Sequence, residues 1–357
     1  MAVMFVPGRA HSAGSPGPLG TAAASAEKAA EPKAKESPWL IMPTFSASPK
    51  LGTSLGAMAA YMHYFDERSQ VSMFGVSASY TSTESAIGAI IAKSSWGADH
   101  HRAIALAASG LIKNDYNDFL GTGKPLKTED NLHVLVGRYL YRVQDNWFAG
   151  LQALNTNYQI IGQNALDDQT LQVLGLTGFQ AGGIGIVAQH DSRDNEFRPS
   201  GGWYLNMNNV AYRERIAGNN NFDVYRLDIR GFWEHWGGQV LALRQSNQWT
   251  VDAPPSALAP VVLRGYKMGQ YLGKYMSSIE GEERLLFAKS WGATIFTGIA
   301  CLYGDGEDCD ESKNLYPNLG AGIQYLIKQK EGIVASLEYA QGKSDNYGVY
   351  LKMGYGF

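Results

Sequence analysis

The chain has 357 residues and a formal net charge of −3, and it is rich in glycine (41) and tyrosine (20), with only 18% charged residues. It has no basic stripe and no zinc-type spacing of cysteine and histidine, so we expect no nucleic-acid partner. No run of eighteen apolar residues is present, which excludes a transmembrane helix. A transmembrane β-barrel is not excluded, because its short alternating strands give a weaker hydropathy signal than a transmembrane helix does.

The N-terminal segment, residues 1–37, is predicted to lie outside the folded domain. It begins with a short apolar run and contains Ala-His-Ser-Ala, which suits signal-peptide cleavage, but it lacks a positively charged start. The segment is therefore either a flexible tail or the remnant of a signal peptide. Its content of Ala, Pro, Lys and Glu predicts a flexible linker. Residues 38–357 are predicted to form one barrel domain.

Side-chain alternation with a period of two predicts about sixteen strands in this domain. In one of them Arg226, Asp228, Arg230 and Glu234 share a face opposite a largely apolar one. Four charges on one strand face are costly in a dry core but suit a water-filled lumen. The predicted strands cover residues 39–47, 52–65, 70–81, 84–97, 100–113, 131–142, 146–157, 178–190, 201–213, 222–234, 239–249, 282–290, 293–303, 318–328, 333–341 and 346–357.

The links between the predicted strands are alternately short and long, as in bacterial outer-membrane barrels, which have short periplasmic turns and long outer loops. An even number of strands places both termini of the chain in the periplasm and makes 250–281 the longest outer loop. Sixteen strands enclose an aqueous interior that has room for a folded-in loop. The predicted fold is therefore all-β, a 16-stranded antiparallel transmembrane β-barrel with a long outer loop folded into its lumen.

The last predicted strand, residues 346–357, has the clearest alternation. Its odd positions are all apolar or aromatic, and its even positions are small or polar. Aromatic residues lie at both ends of the apolar face, and Tyr355 and Phe357 end the chain. A terminal Phe on such a strand is what an outer-membrane barrel presents to the machinery that inserts it, so these two residues are predicted to be a membrane-insertion signal.

Candidates for chemistry are few. Asp99, His100 and His101 lie together, but no Gly-x-Ser-x-Gly elbow accompanies them, so a barrel-embedded Ser/His lipid hydrolase is disfavoured. The acidic segment 305–311 lacks the spacing of an EF-hand. We expect no catalytic residue, no metal and no cofactor. Cys301 and Cys309 are eight positions apart and either form a disulfide, as an oxidising compartment favours, or remain free thiols.

Three motifs resemble those of the outer-membrane assembly-factor superfamily, the BamA/TamA-like bacterial surface antigen barrels. The resemblance spans about residues 38–357 and includes the first hairpin, residues 38–65. The family's sixth outer loop carries (Val/Ile/Leu)-Arg-Gly-(Phe/Tyr), and its next strand carries Glu-x-Arg. A turn of the form Asp-x-Arg-Asp…Phe-x-Pro-x-x-Gly precedes them. The matching residues here are Leu263, Arg264, Gly265 and Tyr266; Glu282 and Arg284; and Asp191, Arg193, Asp194, Phe197, Pro199 and Gly202.

The resemblance implies a loop lock, in which Arg264 is held by a carboxylate on the barrel wall. Glu282 is the first choice of partner, with Asp228, Glu234 or Glu338 as substitutes. The family's following strand usually carries Phe-x-Asp-x-Gly, but "IFTGIA" has no aspartate. With Thr297 taken to stand for the second acid, we expect one carboxylate at the lock.

The resemblance also implies a non-enzymatic protein of the Gram-negative outer membrane that helps insert or export protein, or lipid. The alternative is a passive pore or a structural surface barrel. Its expected partners are outer-membrane lipids and lipopolysaccharide, the barrel-assembly machinery for its own insertion, and a protein cargo or periplasmic adaptor. Residues 1–37 are too few to fold a periplasmic POTRA module, the part that receives substrate in this family.

Overall fold

Sixteen strands form a closed antiparallel barrel in the described part of a computed structural model, which covers residues 37–48, 52–116, 126–162, 178–266 and 269–353. This confirms the predicted fold class. The barrel strands are β1 (Trp39–Ser48), β2 (Gly52–His63), β3 (Ser72–Thr81), β4 (Ala86–Trp96), β5 (His101–Tyr116), β6 (Leu126–Gln144), β7 (Trp147–Gly162), β8 (Gly178–Asp191), β9 (Gly202–Tyr212), β10 (Phe222–Glu234), β11 (Val240–Val251), β14 (Tyr275–Leu286), β15 (Trp291–Tyr303), β16 (Leu315–Lys328), β17 (Ile333–Gln341) and β18 (Tyr347–Met353).

Each strand pairs with its neighbours in chain order, and β1 closes the barrel against β18. Among the described residues, this seam consists of three register pairs, between 45–47 and 349–351. Pro43 of β1, which is in register with Ala57 of β2, has no N–H to donate to either neighbouring strand. The predicted insertion signal, Tyr355 and Phe357, and the predicted linker lie outside the described residues.

The barrel exterior is apolar. On β10, Tyr225 and Trp233 point outward and are exposed, whereas Arg226, Asp228 and Arg230 take the alternate, inward positions. Aromatic pairs ring the wall near both ends, as at the two interfaces of a membrane-spanning barrel. These pairs are Trp39–Tyr61, Trp203–Trp233 and Trp291–Tyr325 at one end, and Tyr275–Tyr303 and Tyr339–Tyr347 at the other. The wall is therefore that of a transmembrane β-barrel of the outer-membrane type.

The two ends of the barrel differ in their connections. One end, here called the turn end, carries short links such as 145–146 and 329–332, and the first strand begins there. The opposite loop end carries the longest connection, 252–274. The prediction of 250–281 for this loop was too long, because the next strand begins at Tyr275. That strand's outward positions include Ser277, Gly281 and Glu283, so hydrophobic alternation does not reveal it.

Candidate functional site

The long loop at the loop end, residues 252–274, packs against the inner wall of the barrel. It contains a short 3₁₀ turn, Pro255–Ala257, and a small hairpin of β12 (Ala259–Pro260) and β13 (Leu272–Gly273). Its buried apolar side chains form one cluster with inward residues of the next three wall strands. The cluster comprises Ala259, Val261, Leu263, Tyr266 and Tyr271 of the loop with Met276, Ala300, Leu302 and Tyr316 of the wall.

The centre of the loop is a buried ionic cluster, here called the loop lock, in which Arg264 contacts three carboxylates. Its Nε donates to Oε1 of Glu280 at 2.7 Å, and its Nη1 donates to Glu282 at 2.6 Å and to Glu338 at 3.2 Å. The Arg264 side chain is 8% exposed, and those of Glu282 and Glu338 are fully buried. Its guanidinium also stacks 3.3 Å from the ring centroid of Phe296, a favourable cation–π geometry.

The two residues after Arg264 fix the loop against the wall. Gly265 has a φ of 92°, and a Cβ there would lie 3.1 Å from the backbone nitrogen of Gly342, so glycine permits this close approach. The Tyr266 hydroxyl donates to the Pro317 carbonyl at 2.5 Å and accepts from the Lys343 N–H. Burial raises the pKa of this hydroxyl to about 12, so it remains a donor at neutral pH.

The expectation of a single carboxylate at the lock was wrong. Strand alternation puts Phe296 and Gly298 on the inner face and Thr297 outside, so Gly298 occupies the inward position assigned to an acid in the motif. Glu280 is the register partner of Gly298 on β14 and supplies a carboxylate to Arg264. Sequence reasoning missed Glu280 because the residue fell within the loop as predicted.

Of the three acids predicted as substitute partners of Arg264, one lies at the loop lock. Glu338, on β17, does contact Arg264. Asp228 instead bridges Arg230 and Arg244, on the neighbouring strands β10 and β11. Glu234 is exposed at the turn end.

The second part of the site is the connection between β8 and β9, residues 192–201, here called the turn plug. It is ten residues long, the longest link at the turn end, and it reaches into the interior. Glu196 pairs with Lys93 of β4, and Phe197 packs against the apolar cluster formed by β1–β3 and Ile333. Nearby, Asn195 donates to the Glu331 carbonyl at 3.1 Å. The plug therefore contacts the wall from β4 round to the link before β17.

The predicted turn motif provides the internal bonds of the plug. The buried Asp191 accepts from Arg193 and from Arg102 of β5. Asp194 accepts from the backbone N–H groups of Asn195, Ser200 and Gly201 and from the Ser200 hydroxyl.

The closing glycine of the motif, Gly202, has a φ of 99°, and a Cβ there would lie 2.2 Å from the Ser192 carbonyl oxygen. Glycine is therefore required where the plug rejoins the wall.

Arg284 joins the loop lock to the turn plug. Its Nε donates to Oε1 of Glu282 at 2.8 Å, while Oε2 of the same carboxylate accepts from Arg264. Its Nη1 donates to the Pro199 carbonyl in the plug at 3.0 Å. Arg264, Glu282, Arg284 and Pro199 thus form one continuous chain of charge-assisted hydrogen bonds along the lumen.

The remaining sequence candidates have other partners. Cys301 and Cys309 form a disulfide. Asp99 accepts from Ser95, Arg102 and Arg142.

The neighbouring histidines make contacts of their own. His101 stacks on Trp96 in the aromatic belt, and Nδ1 of His100 lies 2.8 Å from the Gly97 carbonyl. The structure does not bring Asp99, His100 and His101 together as a catalytic triad.

We expect Asp194→Ala to destabilise the turn plug by about 1 kcal/mol, because four exposed donors lose an acceptor that water replaces in part. Burial favours the protonated form, but the hydrogen bonds from Ser200 and the backbone outweigh it and lower the pKa of Asp194. The charged form therefore contributes stability above about pH 4, and this contribution is lost as pH falls through the lowered pKa. Urea unfolding of the wild type and of Asp194→Asn at pH 7 and pH 3 checks this role. The variant should have the lower free energy of unfolding at pH 7, and its difference from the wild type should be smaller at pH 3. An equal deficit at both pH values would contradict the charged role.

Comparison with known proteins supports the fold and goes no further. No protein-family model and no curated protein matches the sequence. Among solved structures, BamA from Haemophilus ducreyi lacking POTRA domains 1–3 has a TM-score of 0.58 at 12% identity, over 89% of this chain and 70% of that one. CdiB from Acinetobacter baumannii has 0.59 at 10%, and CdiB from Escherichia coli 0.57 at 10%, each over 88% of this chain. The chain spans 59% and 62% of those two CdiB chains.

Proposed function

We propose that this protein is a non-enzymatic outer-membrane barrel that helps insert or export protein across the outer membrane, with the loop lock as its gate. The observation that carries the proposal is the occupied interior. The loop of Arg264 and the turn plug both fill the lumen and are joined through Glu282 and Arg284. A permanently open channel does not require buried hydrogen bonds that hold two segments inside its lumen, whereas a gated channel requires contacts that keep it closed.

The barrel closes where its first and last strands, β1 and β18, pair with each other. In a membrane, water cannot satisfy a backbone N–H or C=O that such a pairing releases, so an opening at this seam calls for a partner strand. Opening there exposes the edges of β1 and β18, onto which a client strand can add by β-augmentation.

The turn end is assigned to the periplasm, since short turns face that side in bacterial barrels. Outer-membrane lipid and lipopolysaccharide then surround the apolar wall. The turn plug faces a periplasmic adaptor or the incoming protein cargo. The BamA and CdiB barrels have the same fold as this chain, and this likeness supports the proposal.

Deleting the gene tests the proposal through quantitative proteomics of the outer membrane and the medium. We expect selective loss of one or a few proteins, restored by the wild-type gene and not by an Arg264→Ala copy expressed at the same level. An unchanged profile in both fractions would overturn the translocation role. It would favour a passive or structural barrel, for which single-channel conductance is the next measurement.

A further inference from the structure

A second interior feature, here called the arginine chamber, lies beside the loop lock. It is a cavity of about 500 Å³ between the inner faces of β6, β9, β10 and β11 and the loop stretch 256–262. This volume is within the range of sites that hold small organic ligands. Four arginines line it, and one carboxylate does: Arg138, Arg226, Arg230, Arg244 and Asp228.

The chamber has an excess of positive charge. Arg230 and Arg244 share the single carboxylate of Asp228, at 2.7 Å and 2.6 Å. Four guanidinium groups against one carboxylate leave a formal excess of three positive charges. Arg138 and Arg230 also line a second cavity, whose carboxylates are Asp191 and Glu196. Asp191 pairs with Arg102 and Arg193, and Glu196 pairs with Lys93.

Among the described residues, the hydrogen-bond partners of Arg138 and Arg226 are neutral. The Nε and Nη2 of Arg138 donate to the Gln152 amide oxygen at 3.2 Å and 2.7 Å. The Nε of Arg226 donates to the Gln248 amide oxygen at 3.1 Å. Neither arginine forms an ion pair with any residue that the structure describes. A half-buried guanidinium without a counter-charge loses hydration that a neutral amide replaces only in part, so an anion in the chamber would stabilise both.

Polar groups beside the arginines complete a binding surface. The ring of Tyr204 lies 5.1 Å from the guanidinium of Arg230, which holds that side chain in place. Asn206 and Asn208, on the same strand face, carry amides that line the cavity. On the loop side, the buried hydroxyl oxygen of Ser256 has no hydrogen-bond partner among the described residues.

We propose that the arginine chamber binds an organic anion through carboxylate or phosphate oxygens, with Arg138 and Arg226 as its principal ligands. Planar guanidinium groups match both oxyanions through paired N–H donors. Residues 256–262 of the gating loop form one wall of the chamber, so a bound anion contacts the loop that carries Arg264. Anion binding here does not depend on protein translocation.

The test is calorimetric titration of the detergent-solubilised full chain with citrate and, separately, with inorganic pyrophosphate. We expect Arg138→Gln/Arg226→Gln to weaken binding of the preferred probe at least tenfold. Preference for citrate would identify a carboxylate ligand, and preference for pyrophosphate a phosphate ligand. The matched control is Arg215→Gln/Lys289→Gln, which removes two positive charges from exposed positions and should leave affinity unchanged.

Two results would overturn the proposal. One is the lack of binding of either probe to the wild-type chain. The other is an equal loss of affinity in the control, which would indicate binding to overall charge. The single variants Arg138→Gln and Arg226→Gln keep the test decisive if the double variant fails to fold, and each should weaken binding several-fold.

Discussion

Replacing Arg264 by alanine should release the loop from the lumen and raise single-channel conductance several-fold. The change leaves Glu280, Glu282 and Glu338 close together with their shared cation removed, although Glu282 keeps Arg284. Breaking a buried ion pair by removing one partner costs about 3–5 kcal/mol, since the remaining charge stays desolvated. Planar-bilayer recording measures the conductance, and protease cleavage within 252–274, applied from the loop side, measures the freed loop.

Two controls separate the lock from a general loss of charge. Arg213→Ala removes an arginine whose side chain is 40% exposed and pairs with Asp223 near the loop end, and it should leave conductance and cleavage at wild-type levels. Arg264→Lys keeps the charge but loses the planar fork that reaches several carboxylates together, so it should give an intermediate conductance. Wild-type conductance and cleavage in Arg264→Ala would show that the arginine does not hold the loop.

The residues of the loop lock that belong to the sequence motifs were predictable from the sequence. Arg264, Gly265, Tyr266 and Glu282 follow from a short pattern whose chemistry suits a buried ion pair beside a close backbone approach. Glu280 did not follow, because β14 has small or charged residues at several outward positions and so lacks alternation at its start. Without that strand boundary, no rule of spacing places Glu280 on the inner face.

The strands of the barrel wall were easier to predict than the segments that fill the lumen. Strands such as β10 and β18 show their faces through alternation, because lipid selects apolar residues on one side of every strand. The turn plug was seen only as a motif on a turn. Its path across the lumen depends on contacts with residues distant in sequence, such as Lys93 and Arg284, and local patterns contain no information on those pairings. The arginine chamber likewise depends on the loop stretch 256–262 and β6 lining the same cavity.

The bridging role of Glu282 has a consequence for gating. Its two carboxylate oxygens bind different arginines, one in the loop and one beside the plug. Release of either arginine changes the net charge around Glu282, and the other arginine is bound to the same carboxylate. Closure of the lumen by the loop and closure by the turn plug are therefore expected to be energetically coupled. Coupling of this kind is measurable as non-additivity in a double-mutant cycle.

Replacing Arg284 by leucine should therefore loosen both closures, even though Arg284 contacts the loop only through Glu282. The change removes the donor to the Pro199 carbonyl and leaves the buried Glu282 with one cation instead of two. Accessibility is read from Gly201→Cys in the plug, where a Cβ meets open space, and from Ser256→Cys in the loop. Both native cysteines are in the disulfide, so each reporter is the single free thiol for maleimide labelling.

We expect Arg284→Leu to raise the labelling rate at both reporters by about tenfold, because a coupling of 1–2 kcal/mol corresponds to that range. In the cycle with Arg264→Ala, the effects on loop labelling should be less than additive, since each change disrupts the same carboxylate bridge. Lys289→Leu, an exposed charge on the next turn, serves as the control and should change neither rate. Faster labelling at Gly201→Cys alone, with Ser256→Cys unaffected, would show that the plug and the loop open independently and that Glu282 does not couple them.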